Sequence, residues 1–193
     1  MAIDYTQFGK YLPSTLAGNL FFYKVPSQAL LINSNVTGFP TVFNSSPNKV
    51  FVPVSVHLGF ISGTTTIGSV LMAQTLNAGN SVGTGAAILT GTPVAAECSY
   101  IGGPGQSSVM QFFPTAVTFT AVPTVVMPLS LNLGAADPTN SGHDHVHNFD
   151  GKTGFYPGSA MSIVYSVTTS TSVWWMTIVG LELALPVSNL PSF

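Results

Sequence analysis

A period-two alternation of apolar residues near the C-terminus constrains this chain more than any other feature of its sequence. From Met161 to Val167 every second side chain is apolar, and the polar run at residues 168–172 predicts a turn. The strand predicted from Val173 to Leu185 is apolar on both of its faces. Because a strand with two apolar faces is covered on both sides, one face is expected to fill the core. The other face then needs a second sheet, a long loop or another subunit.

The same alternation recurs earlier in the chain. Apolar side chains occupy every second position from Val50 to Phe60 and from Val125 to Leu133, which predicts two further strands. Pro53 lacks an amide hydrogen, so its strand is expected to lie at a sheet edge or to carry a bulge. No amphipathic helix is indicated, and about eight to ten strands at roughly 8 to 12 residue spacing predict an all-β protein. We favour a jelly-roll β-sandwich.

A change in composition near residue 48 suggests a division of the chain. Residues 1–48 are rich in aromatics, asparagine and serine, and only residues 28–36 resemble a regular strand. This segment is predicted to be an irregular N-terminal arm or first layer, which either docks onto a neighbour or wraps its own domain. Residues 49–187 are predicted to form the jelly-roll sandwich, and residues 188–193 a short tail.

Large aromatic side chains supply the candidate interface residues, since such rings offer much contact area. In the final strand, the adjacent Trp174 and Trp175 must point to opposite faces, so one is expected in the core and the other at an interface or a covered outer face. The residues assigned to an interface are Tyr5, Phe8, Tyr11, Phe21, Phe22, Tyr23 and Trp174.

The low charge of the chain excludes several classes of partner. Only 5% of the 193 residues are charged, against about 25% in ordinary soluble domains. There is no arginine, and the lysines are scattered, whereas nucleic-acid grooves need clustered cations. No apolar run approaches the roughly 20 residues of a membrane-spanning helix. We therefore expect neither nucleic acid nor membrane as a partner. Cys98 is the only cysteine, which leaves a buried side chain or a reactive thiol as alternatives.

The densest polar cluster contains three histidines at alternate positions. His143, His145 and His147 would face the same way in a strand, and imidazole is a good ligand for zinc, nickel, copper or iron. One interpretation is a metal site near the axis of a trimer. The other is a solvated loop whose histidines only form hydrogen bonds.

Other patterns that could carry chemistry are incomplete. His57 and Glu97 have no spacing that ties them into a metal set, and Glu182 has no visible catalytic partner. Residues 79–83 match the Gly-x-Ser-x-Gly pattern, but they lie in a glycine-rich stretch without the strand and helix that this motif requires. We expect no enzymatic activity and no cofactor.

The C-terminal part of the chain contains a series of turn motifs and an aromatic final strand. They are Ser62-Gly63-Thr64, the proline-flanked residues 123–128, Asp150-Gly151-Lys152, Tyr156-Pro157-Gly158-Ser159-Ala160 and the aromatic strand at residues 172–185. This series resembles tailed-bacteriophage virion proteins, and the resemblance covers about residues 49–187. In that group a similar Asp-Gly to Pro-Gly segment leads into the last hairpin of a jelly roll. Such domains are similar to the trimeric folds of tumour-necrosis-factor-like proteins.

The resemblance implies a structural protein of the virion surface. A capsid decoration, or cement, protein would be a homotrimer, assembled in the host cytoplasm, that binds the major capsid protein or other virion proteins and stabilises the capsid lattice. Residues 1–48 would then be the capsid anchor. The alternative is a tail-fibre or receptor-binding protein that recognises the host surface.

Overall fold

The computed structural model describes ten stretches of the chain and shows an all-β protein. The described residues are 17–29, 31–34, 40–63, 68–76, 88–98, 107–115, 117–129, 144–149, 152–167 and 173–185. Within these residues every regular element is a β-strand, and two five-stranded antiparallel sheets account for most of them. The prediction of an all-β sandwich is confirmed.

The strands fall into two large sheets and one small pair. They are β1 (Leu20–Ala29), β2 (Thr41–Phe43), β3 (Lys49–Ser62), β4 (Val70–Thr75), β5 (Ile88–Thr90), β6 (Glu97–Cys98), β7 (Gln111–Phe113), β8 (Thr118–Phe119), β9 (Thr124–Pro128), β10 (Asp144–Asn148), β11 (Ala160–Tyr165) and β12 (Val173–Ala184). Sheet A has the order β10-β3-β12-β1-β6, and sheet B has the order β7-β2-β11-β4-β9. β5 and β8 form the small pair.

The order of pairing along the chain is nested. β1 pairs with β12, β2 with β11, β3 with β10 and β4 with β9, all antiparallel. Successive strands from β1 to β4, and again from β9 to β12, alternate between the two sheets. β1 and β12, the first and last strands of the described residues, therefore lie side by side in sheet A.

The main core lies between the two sheets. Sheet A contributes Tyr23, Phe51 and Trp174, and sheet B contributes Phe112 and Ile163 among others. The Tyr23 ring makes edge contacts with Phe51 at 5.4 Å and with Phe112 at 5.5 Å between ring centroids. Such aromatic pairs stabilise a core beyond the area that they bury.

β3 changes the face that it buries part of the way along its length. Phe51 points into the core and Val52 and Val54 point outward, but beyond this point Val56 and Leu58 are the core residues. The pairing with β12 is irregular here, because Gly180 is opposite Pro53 whereas the preceding Val179 is opposite Ser55. The strand is interior, between β10 and β12. Of the two expectations for Pro53, the bulge is therefore the one observed, and a single buried face from Val50 to Phe60 is wrong.

The N-terminal region differs from the expected arm. β1 lies between β12 and β6 in sheet A, and β2 lies between β7 and β11 in sheet B. Residues 20–29 and 41–43 are thus interior strands of the two sheets, whereas the sequence predicted an irregular arm or first layer here. Residues 1–16 lie outside the described residues.

Candidate functional site

The three described histidines are distributed over both faces of sheet A. His145 and His147 lie opposite Leu58 and Val56 in the β10–β3 pair, so they share the face that turns towards the core. The His147 ring contacts Phe149, with 4.8 Å between ring centroids. His57 points to the outer face, where its Nε2 and the Ser55 hydroxyl are 3.0 Å apart.

The proposed metal set is brought together only in part. His145 and His147 are on one face as predicted, whereas His143 lies outside the described residues. Among the residues that are described, no group of three histidine, cysteine, aspartate or glutamate side chains could hold a metal ion. The three-histidine site stays a prediction.

His57 and Glu97 do not form a common site. They lie on β3 and β6, and β12 and β1 separate these strands in sheet A. Three strand spacings of about 4.8 Å put them roughly 14 Å apart. Glu97 instead forms an exposed ion pair with Lys24. The Gly-x-Ser-x-Gly match at residues 79–83 lies outside the described residues.

Glu182 is the one buried acidic side chain among the described residues, and it has partners that the sequence did not reveal. The Tyr23 hydroxyl donates to Oε1 at 3.0 Å, the Ser108 hydroxyl donates to the same oxygen, and the Val109 amide donates to Oε2 at 3.1 Å. Lys49 Nζ lies 3.5 Å from Oε2. The carboxylate thus joins β12 to β1, to the start of β3 and to residues 108–109.

This network is suited to holding the fold together. The Glu182 side chain is completely buried, and both of its oxygens are occupied by donors. Burial raises the pKa of Tyr23 well above the ordinary tyrosine value, and the negative charge of Glu182 raises it further. A neutral tyrosine that donates to a carboxylate is a structural contact, so the possibility of a catalytic acid at Glu182 finds no support here.

The aromatic residues assigned to an interface divide into three groups. Phe21, Tyr23 and Trp174 are 2% exposed or less and belong to the protomer's own core, so the interface assignment is corrected for these three because no surface is left for a partner. Phe22 is half-buried on the outer face of sheet A. The rest, Tyr5, Phe8 and Tyr11, lie outside the described residues.

The two tryptophans lie on opposite faces of the strand, as predicted. The one in the core, however, is Trp174, which the sequence-based prediction assigned to an interface. Trp174 is 2% exposed and packs against Phe60 in the core, with 5.3 Å between ring centroids. Trp175 is on the outer face of sheet A and is 39% exposed. Trp175 is therefore the tryptophan available to a partner.

Exposed aliphatic residues gather along the β9 edge of sheet B. Val122, Val125 and Val126 are 53%, 44% and 42% exposed, and Leu76, which follows β4, is 59% exposed. β9 pairs with β4, and this register, continued past Gln74 and Thr124, brings Leu76 towards Val122. Residues 68–76 and 117–129 contain no charged residue. We call Leu76, Val122, Val125 and Val126 the β9 patch.

Comparison with known proteins identifies no relative. No family model, no curated protein and no solved structure matches the chain. None of the described residues belongs to a helix with the length and apolarity that crossing a membrane requires.

Proposed function

We propose that this chain is a structural protein of a virion surface and acts as a capsid decoration protein that binds and stabilises the capsid lattice. The observation that carries the proposal is the β9 patch. Contiguous exposed apolar residues mark sites of association, and the centres of interfaces are depleted of charged residues. The four residues of the β9 patch are each more than 40% exposed, and the two stretches that contain them have no charged residue.

We also infer that the sandwich is a jelly roll, the fold that the turn motifs imply. Two features of the topology support this inference: the nested pairing of β1 to β4 with β12 to β9, and the alternation of successive strands between the sheets. A jelly roll is a long antiparallel ribbon wrapped into two facing sheets, which produces this nesting. The fold alone assigns no function, and the proposed role depends on the surface.

Attachment to particles tests the proposed function directly. Purified protein is mixed with particles that lack it, and bound protein is measured by co-sedimentation and located by cryo-electron microscopy. We expect density on the capsid lattice, whereas density confined to the tail would favour the receptor-binding alternative. If the protein binds to no part of the particle, both the capsid role and the receptor-binding role are refuted.

A matched pair of substitutions tests the β9 patch itself. Val122→Asp and Val146→Asp each place a carboxylate at a position about half exposed, 53% and 54% respectively, but on different sheets. We expect Val122→Asp to weaken attachment by about tenfold or more, since a charge at an apolar contact must lose its water. Val146→Asp should attach like the unmodified chain. Equal attachment of the two variants would contradict the assignment of the patch.

The oligomeric state is a separate part of the proposal. We propose a homotrimer, because a chain that is 46% hydrophobic is expected to exceed what one sandwich of this size can bury and because the resembled folds are trimeric. Light scattering should give about three times the chain mass of 20.1 kDa. A stable monomer at micromolar concentration would exclude the trimer without excluding attachment to particles.

A further inference from the structure

Trp175 is an exposed aromatic residue that belongs neither to the core nor to the β9 patch. It lies on the outer face of sheet A, next to the half-buried side chains of His57 and Thr177. Its indole is 39% exposed. A large aromatic side chain in this position offers apolar surface to a ligand while its N–H remains a donor.

Gly59 allows the indole to lie across the neighbouring strand. Gly59 is opposite Trp175 in the β3–β12 pair. A Cβ atom added to Gly59 would lie 1.7 Å from Trp175 Nε1 and 2.1 Å from its Cε2, so the five-membered ring occupies the space that any other residue would fill. The ring therefore rests on the backbone of the sheet and does not project from it.

A row of polar side chains borders the ring. Thr177 is opposite His57 on one side and Lys24 on the other, so the three lie in line across the sheet. Lys24 is neutralised by its ion pair with Glu97. His57 uses one ring nitrogen for Ser55, and the Thr177 hydroxyl makes no side-chain hydrogen bond to a described residue. The row thus offers hydrogen-bonding groups with little net charge.

We propose that Trp175, Thr177 and His57 form a binding site for a neutral pyranose ring of a glycan. The apolar C–H face of the sugar packs on the indole, and its hydroxyl groups bond to the Thr177 hydroxyl and the His57 imidazole. Sites of this kind combine one apolar surface with a few placed polar groups that fix orientation. The proposal is independent of the role in the capsid, because the site and the β9 patch lie on different sheets.

The chemistry of the row favours a saccharide over the other ligands of an aromatic ring. An apolar protein surface would leave the Thr177 and His57 groups without partners, which is costly on burial. The Lys24–Glu97 ion pair beside the site leaves little net charge that could attract a cation or an anion. A neutral ligand with many hydroxyl groups avoids both difficulties.

The test uses the full chain and a panel of methyl glycosides of glucose, galactose, mannose and N-acetylglucosamine. Binding is measured by saturation-transfer NMR and by tryptophan fluorescence, which reports on Trp175 because Trp174, the other of the two tryptophans, is buried. We expect at least one glycoside to bind with a Kd on the order of 1 mM. Absence of binding by every glycoside at about one hundred times that concentration would overturn the proposal.

Substitutions locate the binding on the surface. Trp175→Ala should weaken binding by about tenfold or more, and Gly59→Ala should do the same although it retains the indole, because the new Cβ displaces the ring. Thr177→Val removes only a hydroxyl and should weaken binding by about fivefold in a protein that remains folded. Tyr156→Ala removes another exposed aromatic, 55% exposed, and serves as the control that leaves binding unchanged.

Two results would contradict the assignment of the site. One is binding that stays within twofold in both Trp175→Ala and Thr177→Val. The other is loss of particle attachment in Trp175→Ala without any glycoside binding by the unmodified chain, which would make the surface a protein contact. Particle attachment is measured separately with Val122→Asp. If the glycan site is absent, the proposed capsid function is therefore still decided by the attachment experiment alone.

Discussion

The outer faces of the two sheets are both apolar but are treated differently by the fold. On sheet B, Phe43, Ala73 and Val164 are covered by Val117 and Phe119, which belong to the segment around β8. On sheet A, the outer apolar cluster consists of residues from its own strands, such as Leu20, Val54 and Leu181, and beyond it Trp175 is exposed. The cluster on sheet A is buried as well, at 7–8% exposure, so the part of this face that is available for contacts is the part around Trp175.

The buried polar groups of the two sheets differ in charge. On sheet B the Thr41 and Ser162 hydroxyls, both buried, are 2.8 Å apart, and this neutral pair does not titrate at ordinary pH. On sheet A, besides the buried Ser55 hydroxyl, the polar group is the Glu182 carboxylate with its four donors. A buried carboxylate costs more to leave unpaired than a hydroxyl, so sheet A is expected to be the more sensitive to loss of its polar contacts.

The largest effect is expected from truncating the cover of sheet B. Phe119→Ala removes a side chain that is 1% exposed and should lower the free energy of unfolding by about 3 to 5 kcal/mol. Trp175→Ala removes a larger aromatic from sheet A but one that is 39% exposed, and should cost about 1 kcal/mol or less. Urea denaturation of the two variants measures the difference. Equal destabilisation would mean that the two outer faces are not distinct.

Sequence periodicity predicts the long strands well and fails where the chain departs from strict alternation. β3, β11 and β12 were all expected, because period-two patterns depend only on neighbouring residues. The prediction of a single buried face for β3 fails at Pro53, because one bulge residue reverses the direction of every later side chain. Pro53 itself was the available signal.

The strands of the N-terminal region could not be predicted from local periodicity. β1 contains Lys24 and Pro26 and is apolar on both faces, so it lacks an alternation that could identify it. Its place in sheet A comes from pairing with β12, which lies at the other end of the chain. Pairings of such long separation leave no trace in local pattern, and for that reason the buried contacts of Glu182 were also missed.

Removal of the Glu182 carboxylate is expected to have the second-largest effect. Glu182→Ala leaves the Tyr23 hydroxyl and the Val109 amide without their acceptor and should cost about 3 kcal/mol. The matched change on sheet B is the double variant Thr41→Val with Ser162→Ala, which removes both members of a hydroxyl pair and should cost about 1 kcal/mol or less. Chemical denaturation at pH 7 compares them. A double variant as unstable as Glu182→Ala would remove the distinction between the charged and the neutral buried groups.

The smallest effect is the response to alkaline pH of two buried tyrosines, Tyr23 on sheet A and Tyr165 on sheet B. Burial, with the charge of Glu182, holds the pKa of Tyr23 well above the ordinary value of about 10, and burial also raises the pKa of Tyr165. Above pH 10 the unfolded chain loses these protons and the folded chain retains them, so the unfolded state is favoured. The stability associated with both tyrosines is therefore complete below about pH 10 and falls as pH rises further, by at most about 1.4 kcal/mol per pH unit for each group.

Substitution of single tyrosines identifies the source of this alkaline loss. Tyr23→Phe lowers stability at pH 8, because the hydrogen bond to Glu182 is removed, but it should flatten the decline between pH 9.5 and 11. Tyr156→Phe, at a position 55% exposed, should leave the decline unchanged. Both are measured by urea denaturation across the pH series. If Tyr23→Phe declines as steeply as the unmodified chain, the Tyr23 hydroxyl is ionised in the folded state at the same pH as in the unfolded state. The buried network of sheet A would then be open to water, and the contrast with the neutral pair of sheet B would not hold.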